Sequence, residues 1–233
     1  MTTRFLRLPF AFEADRLADD LAQCLRTAWT KHVNQRDYAG DWTGIALRST
    51  TGTAGDILSV AGLDDYKDTP LVAECPYFSA ILDGLHCEQE TVRLLRLAPG
   101  SLIREHRDRG ASYGDGFLRL HIPITTNDRT RFVVDGEALP MRPGECWYAD
   151  FSLVHSVQND GATDRVHLII DARRNDWTDR LFEQAGYDFA ADARERRMAP
   201  DTRRRVIEEL RAHGGDTGLQ LAADLEAEAA TVE

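Results

Sequence analysis

The chain has 233 residues, 42% of them hydrophobic, and a formal net charge of −11. That composition suits one globular domain with an appendage and excludes a disordered chain. The acidic balance argues against a phosphate-binding surface, so nucleic acid is not an expected partner, although a local basic pocket for a small dicarboxylate stays open.

Arg4 to Phe10 reads as a short strand. A helix follows, with Leu17, Leu21, Leu25 and Ala28 with Trp29 at helical spacing on one face and acidic residues in its first turn. Residues 34–43 are polar and turn-rich, Gly44 to Arg48 forms a strand, and Gly52 to Thr69 is a long loop. Pro76 starts a second helix carrying Phe78, Ile81, Leu82 and Leu85.

From residue 91 the pattern changes to strands. Thr91 to Leu97 is apolar with interspersed arginines and ends at the turn signal Pro99-Gly100. Phe117 to Thr125 alternates strictly, with Leu118, Leu120, Ile122 and Ile124 on one face and Phe117, Arg119, His121 and Pro123 on the other. Arg131 to Val134 runs into Asp135-Gly136, a two-residue hairpin turn, and Pro143-Gly144 precedes a strand from Cys146 to Phe151. Arg165 to Asp171 is a further strand, with Arg165, His167 and Ile169 sharing a face. Many short strands between turns predict a mainly β domain of jelly-roll type over residues 1–175.

After Asn175 the strands stop. Asp176 to Ala185 and Asp201 to Ala212 read as helices, the second closed by Gly214-Gly215, and residues 217–233 as a last helix that frays. We expect residues 176–233 to be a C-terminal helical extension, packed as a cap to about residue 213.

The four cysteines, Cys24, Cys75, Cys87 and Cys146, form neither a CxxC pair nor a zinc-finger spacing, and read as free thiols in a reducing cytoplasm. No basic-plus-apolar leader opens the chain, and no stretch approaches the roughly 20 apolar residues that span a bilayer.

His106-Arg107-Asp108 puts an imidazole and a carboxylate two residues apart, on one side of a strand edge. A second imidazole, His155, follows after several strands. Two His and one carboxylate can occupy one face of an octahedral iron, leaving three positions for a cosubstrate and oxygen, and mixed N/O donors suit Fe(II). Taken singly, His106 is equally a surface histidine in an arginine-rich loop, and His155 a packed core histidine. A bidentate 2-oxo acid on such an iron would carry its far carboxylate into a dry pocket, where arginine is the natural partner. Arg165 begins an apolar strand and can supply it; its plainer reading is a rim arginine paired with Asp164 or Asp171. Arg119 and His121 point together from one strand face, which is either an anion-binding interior or solvated.

The ordered set His106-Arg107-Asp108, Phe117-Leu118-Arg119-Leu120-His121-Ile122-Pro123, Gly144-Glu145-Cys146-Trp147, Asp150, His155-Ser156 and Arg165-Val166-His167-Leu168-Ile169-Ile170-Asp171 resembles the aspartyl/asparaginyl β-hydroxylase family, which includes bacterial proline hydroxylases. The likeness is strong over residues 90–171 and extends weakly to Asp41-Trp42-Thr43-Gly44 and Leu47-Arg48. It implies a cupin-like double-stranded β-helix, to which the helices read above are N-terminal flanks, and an Fe(II) and 2-oxoglutarate-dependent dioxygenase using O2. By position it implies His106, Asp108 and His155 as metal ligands and Arg165 as the partner of the distal carboxylate of 2-oxoglutarate. It further implies His121 near the iron-proximal end of that cosubstrate, Trp42 in the same pocket, and Arg119 at a substrate carboxylate. Two departures stand out. Animal members carry Gly where this chain has Asp108, and a serine that helps hold the cosubstrate there is replaced by Leu95. The expected reaction is hydroxylation of a free amino acid or of a side chain in a small peptide. The rival reading is a non-catalytic cupin-like barrel that binds a small organic acid; a weaker one is an isomerase or hydrolase using another divalent ion.

Overall fold

The structure is a computed structural model that describes residues 3–60, 62–196 and 200–230. Thirteen strands are formed by the described residues: β1 (Phe5–Ala11), β2 (Thr30–Lys31), β3 (Tyr38–Ala39), β4 (Trp42–Ser49), β5 (Lys67–Asp68), β6 (Gln89–Leu97), β7 (Ser101–His106), β8 (Phe117–Thr125), β9 (Thr130–Val134), β10 (Glu137–Ala138), β11 (Glu145–Ala149), β12 (His155–Asn159) and β13 (Arg165–Arg173). The helices are α1 (Ala14–Cys24), α2 (Pro70–Glu74), α3 (Pro76–Asp83), α4 (Asp176–Gln184), α5 (Phe189–Arg196), α6 (Pro200–His213) and α7 (Gly215–Ala230).

The strands form two antiparallel sheets. The larger runs β1-β11-β8-β13-β6-β4-β2, with β5 beside β4; the smaller runs β10-β9-β12-β7-β3. From β6 onward the chain crosses between them: β6 large, β7 small, β8 large, β9 small, β11 large, β12 small, β13 large. That alternation winds a double-stranded β-helix, the jelly roll expected from the sequence. Its core lies between the inner faces, where Leu97, Phe132, Val134 and Ile169 are at most 4% exposed. Both faces of β8 are covered: Leu118, Leu120, Ile122 and Ile124 are buried on the side opposite the cavity, with α1 in contact with the strand, and Phe117, Arg119 and His121 line the cavity. The solvated alternative for that face falls.

Two turns depend on left-handed backbone. Asp135 and Gly136 both take positive φ, +48° and +78°, in the Asp-Gly hairpin between β9 and β10. Gly144 sits at φ +82°, and a Cβ there would lie 2.2 Å from the Phe12 carbonyl oxygen. The Phe12 amide donates to the Gly144 carbonyl, so the two chains cannot separate cheaply. Gly144→Ala should cost about 2–3 kcal/mol in strain. At about 2–4 °C per kcal/mol for a chain of this size, calorimetry should show Tm falling by roughly 5–10 °C.

The flanking helices differ in part from the sequence reading. Helix α1 ends at Cys24, leaving Leu25 55% exposed, because the following chain is drawn into β2 against β4. Trp29 therefore lies off the helix and covers the Arg96 guanidinium instead. Helix α2 opens at Pro70 inside what looked like the approach to α3. Asp20 on α1 accepts the Tyr77 and Phe78 amides, capping α3 from a neighbouring element. Cys24 and Cys75 share a hydrogen bond at 3.4 Å between sulfurs, and all four cysteines are free. Asn175 caps α4 through its side chain, and Phe182 of that helix stacks on Tyr113 at 3.8 Å.

The chain divides into a compact unit over Thr3–Asp188 and a helical one from Phe189 onward. Within the second, α6 and α7 fold back on each other across Gly214, with Arg211 paired to Glu226 at 2.8 Å. Helix α5 was not foreseen. The last expected helix runs to Ala230, and residues 231–233 lie outside the described residues. No helix of the described residues is long and apolar enough to cross a membrane.

Candidate active site

His106 ends β7, His155 begins β12, and the antiparallel register sets them directly opposite, ring centroids 4.1 Å apart. Each Nδ1 faces a backbone carbonyl: His106 that of Arg104 at 2.7 Å, His155 that of Leu153 at 3.0 Å. A carbonyl only accepts, so both Nδ1 atoms carry a proton, which leaves Nε2 of each ring as the atom that can turn to a metal. Burial pushes the His155 imidazole down to about 4, so it is neutral at pH 7. Asp108 lies just past β7, held by its amide to the Phe151 carbonyl, with Oδ1 3.7 Å from His106 Nε2. One ligand atom from each of His106, Asp108 and His155 lies within 4.8 Å of the others.

These residues open into a cavity of about 610 Å³. Arg93, Arg107, Arg109, Arg119 and Arg165 line it, against one carboxylate, Asp108, among the described residues. A strongly cationic pocket thus sits in an acidic chain. Arg165 is 2% exposed and no carboxylate pairs with it among the described residues. The Asp164 and Asp171 partners considered from sequence are both taken elsewhere, by Arg96 and by Arg93 with Arg119. Burial alone pushes Arg165 down to about 9, the mark of a charge awaiting a counter-ion. Its NH2 donates to His167 Nδ1 at 2.9 Å, which fixes His167 as the Nε2-protonated tautomer. His121 projects between Phe151 and His167, and its Nε2 is buried without a partner, as is Nε of Arg165. The orphaned Nε–H of Arg165 and its guanidinium without a carboxylate fit an anionic ligand, and the two imidazoles with Asp108 fit a dication of mixed N/O preference. Leu95 lines the same cavity and offers no donor of its own. Trp42 is also in the wall, stacked on His32 at 3.4 Å with its Nε1 unpartnered.

Arg119 also lines the cavity, but its guanidinium is largely occupied. Nε and NH2 grip Asp171 at 2.6 and 3.1 Å, NH2 also reaches Ser59 at 3.2 Å, and NH1 donates to Asp108 Oδ2 at 2.8 Å. Burial works to lower its pKa, but Asp171 and Asp108 outweigh it and hold the charge above the ordinary range. Sequence reading missed Arg93, Asp171, His167 and Ser59. Period-two alternation from Arg165 does place His167 and Asp171 on the inward face; Ser59 sits in a loop without periodicity and left no signal.

The sequence profile of the family described as aspartyl/asparaginyl beta-hydroxylase matches residues 12–175. The chain is 29% identical over 174 residues to an L-proline cis-4-hydroxylase of Rhizobium meliloti (strain 1021), covering 73% of this chain and 61% of that protein. It is 28% identical over 175 residues to an L-proline cis-3-hydroxylase of a Streptomyces species, covering 67% of this chain and 55% of that one. It thus spans less than two thirds of the length of either. A crystal structure of a 2OG-Fe(II) oxygenase family oxidoreductase from Burkholderia pseudomallei aligns at TM-score 0.49 and 17% identity, over 70% of this chain and 82% of that one. The profile match spans both histidines, Asp108 and Arg165, and the chain belongs to the aspartyl/asparaginyl β-hydroxylase family.

Proposed function

We propose that the protein is an Fe(II)- and 2-oxoglutarate-dependent dioxygenase that hydroxylates a C–H bond of an amino acid, or of an amino-acid side chain in a small peptide. The observation that carries this reading is a buried arginine without a carboxylate in the same cavity as a His-Asp-His cluster. His106, Asp108 and His155 would hold the iron, and Arg165, steadied by His167, would pair with the distal carboxylate of 2-oxoglutarate. His121 and Trp42 would line the remainder of that site. Bound iron and cosubstrate supply the oxidising chemistry, in which O2 converts 2-oxoglutarate to succinate and CO2 and the substrate is hydroxylated. The chain's own task is to orient the reacting C–H bond and keep water out, which the aromatic wall of Trp42, Phe117, Phe132 and Phe151 favours.

A substrate carboxylate has two arginines to meet. Arg119 has five N–H groups, and four of them are engaged, which leaves one on NH1. Arg93 donates to the Ile57 carbonyl and to Asp171, and its Nε is buried and unpartnered. The pair is a better anchor than Arg119 alone. L-proline is the first substrate to try, because both curated relatives carry it in their names. The test is succinate release from 2-oxoglutarate with Fe(II) and O2 across the free amino acids and short peptides. The true substrate should raise release several-fold over the substrate-free rate. No iron-dependent succinate under any condition would favour the non-catalytic barrel that binds a small organic acid.

A further inference from the structure

The most heavily bonded charge near the cavity is one that the proposed chemistry leaves unused. The Asp171 carboxylate is 0% exposed and accepts from Ser59 Oγ at 2.6 Å, Thr91 Oγ1 at 2.7 Å, Arg93 NH2 at 2.6 Å, Arg119 Nε at 2.6 Å and Arg119 NH2 at 3.1 Å. Two guanidinium groups share this one anion. Only one of them goes on to a second carboxylate: Arg119 NH1 donates to Asp108 Oδ2 at 2.8 Å. A guanidinium is planar, so a carboxylate that grips its Nε–NH2 edge also fixes where NH1 points. With Oδ2 of Asp108 held in this way, Oδ1 is the oxygen turned to His106 Nε2, at 3.7 Å.

We propose that Asp171 is a positioning residue for the metal centre. Through Arg119 it sets the orientation of the Asp108 carboxylate and cancels the positive charge that would otherwise compete with a metal for it. The proposal rests on the reading of His106, Asp108 and His155 as metal ligands. The sign of the effect follows from the charges. With Asp171 in place, Arg119 is neutralised on one edge and lends Asp108 a single directed hydrogen bond. Without that charge, Arg119 has Asp108 as its one carboxylate partner, Arg93 has none, and one buried and one half-buried cation line the cavity of the cation site. Ser59 bonds both Asp171 and Arg119, so the loop between β4 and β5, whose Ile57, Leu58 and Ser59 form cavity wall, is tied to the same clamp. A purely structural Asp171 would instead tie β6, β8 and β13 together and act on stability alone.

The experiment is Mn(II) binding, followed by the loss of the free-ion EPR signal, in the whole chain without turnover. The proteins are the wild type, Asp171→Asn, Arg119→Gln and the double variant, with thermal melts alongside. Asp171→Asn should weaken Mn(II) binding by about 10–100-fold, the usual range for a residue that orients a ligand. In the Arg119→Gln background the same change should cost no more than about twofold, which is the scatter of independent sites. Wild-type affinity in Asp171→Asn, or losses that simply multiply in the double variant, would overturn the proposal. Should Asp171→Asn fail to fold, Ser59→Ala and Thr91→Val each remove one donor from the same carboxylate. Either should weaken Mn(II) binding in the wild-type background and not in Arg119→Gln, and no change in the first comparison also overturns it. His106→Ala is the separate control: if it binds Mn(II) like the wild type, the ligand assignment has failed rather than the clamp.

Discussion

Neither His106→Ala nor His155→Ala should hold iron. Each removes one of the three donors proposed for the metal, and the methyl that remains has no lone pair. The loss should exceed the roughly 10–100-fold that follows from disturbing an orienting partner, because a donor itself is gone. Among the described residues the other nearby histidines stand outside this cluster: His121 and His167 contact each other, and His32 is stacked on Trp42. Anaerobic titration of Fe(II) with 2-oxoglutarate present should therefore develop its visible charge-transfer band in the wild type and in neither variant. An intact band in either one would remove that histidine from the centre. Asp108→Ala is the milder lesion, since animal members of the family carry Gly there.

The second large effect concerns Arg165, and it has two opposite signs. Arg165→Met keeps much of the volume and deletes the charge. Toward 2-oxoglutarate it should be severe, because the distal carboxylate would enter a dry pocket unpaired; breaking such a buried pair costs on the order of 3–5 kcal/mol. At about 1.4 kcal/mol per decade that is roughly two to three and a half decades in affinity. Toward the ligand-free fold it should be neutral or favourable. The guanidinium is buried without a carboxylate, and replacing an uncompensated charge with an apolar side chain of similar size removes a desolvation penalty. Isothermal titration should show weak 2-oxoglutarate binding, while the melting temperature of the ligand-free variant is no lower than that of the wild type. A variant that melts early yet binds 2-oxoglutarate normally would mean that Arg165 serves the fold rather than the ligand. Arg96, on the neighbouring strand β6, is already paired with Asp41 at 2.7 Å and is not a ready replacement.

The parts of the molecule that were legible are those in which one local pattern decides the outcome. Strand β8 was read to its ends, Phe117 to Thr125, because both faces are buried and alternation was the only pattern to see. The Asp135-Gly136 hairpin and the Pro143-Gly144 turn follow from residues that tolerate positive φ. The strands that carry His106 and His155 were harder. Arg104, Glu105 and His106 crowd the exposed end of β7, and the polar small sheet hides its period, so the histidines were found through the order of motifs and not through the strands beneath them. Arg119 shows a different limit. Its direction followed from β8, but the carboxylates that occupy it come from β13 and from the loop after β7, and no local pattern announces a partner 52 or 11 positions away. Helix α1 was drawn too long for a related reason: apolar spacing continued to Trp29, and sheet pairing at β2 prevailed over it.

The pairing of His106 with His155 has a consequence for the chain as a polymer. The two residues are neighbours across a sheet, yet 49 positions apart in sequence (155 − 106). An ion held by both would tie the ends of that segment together in the folded state, and because the unfolded chain brings no such pair together, its binding free energy would add to the stability of the fold. The segment includes β8, β9 and β11, which contribute strands to both sheets. A metal bound there would thus act on the stability of the barrel as well as on its chemistry.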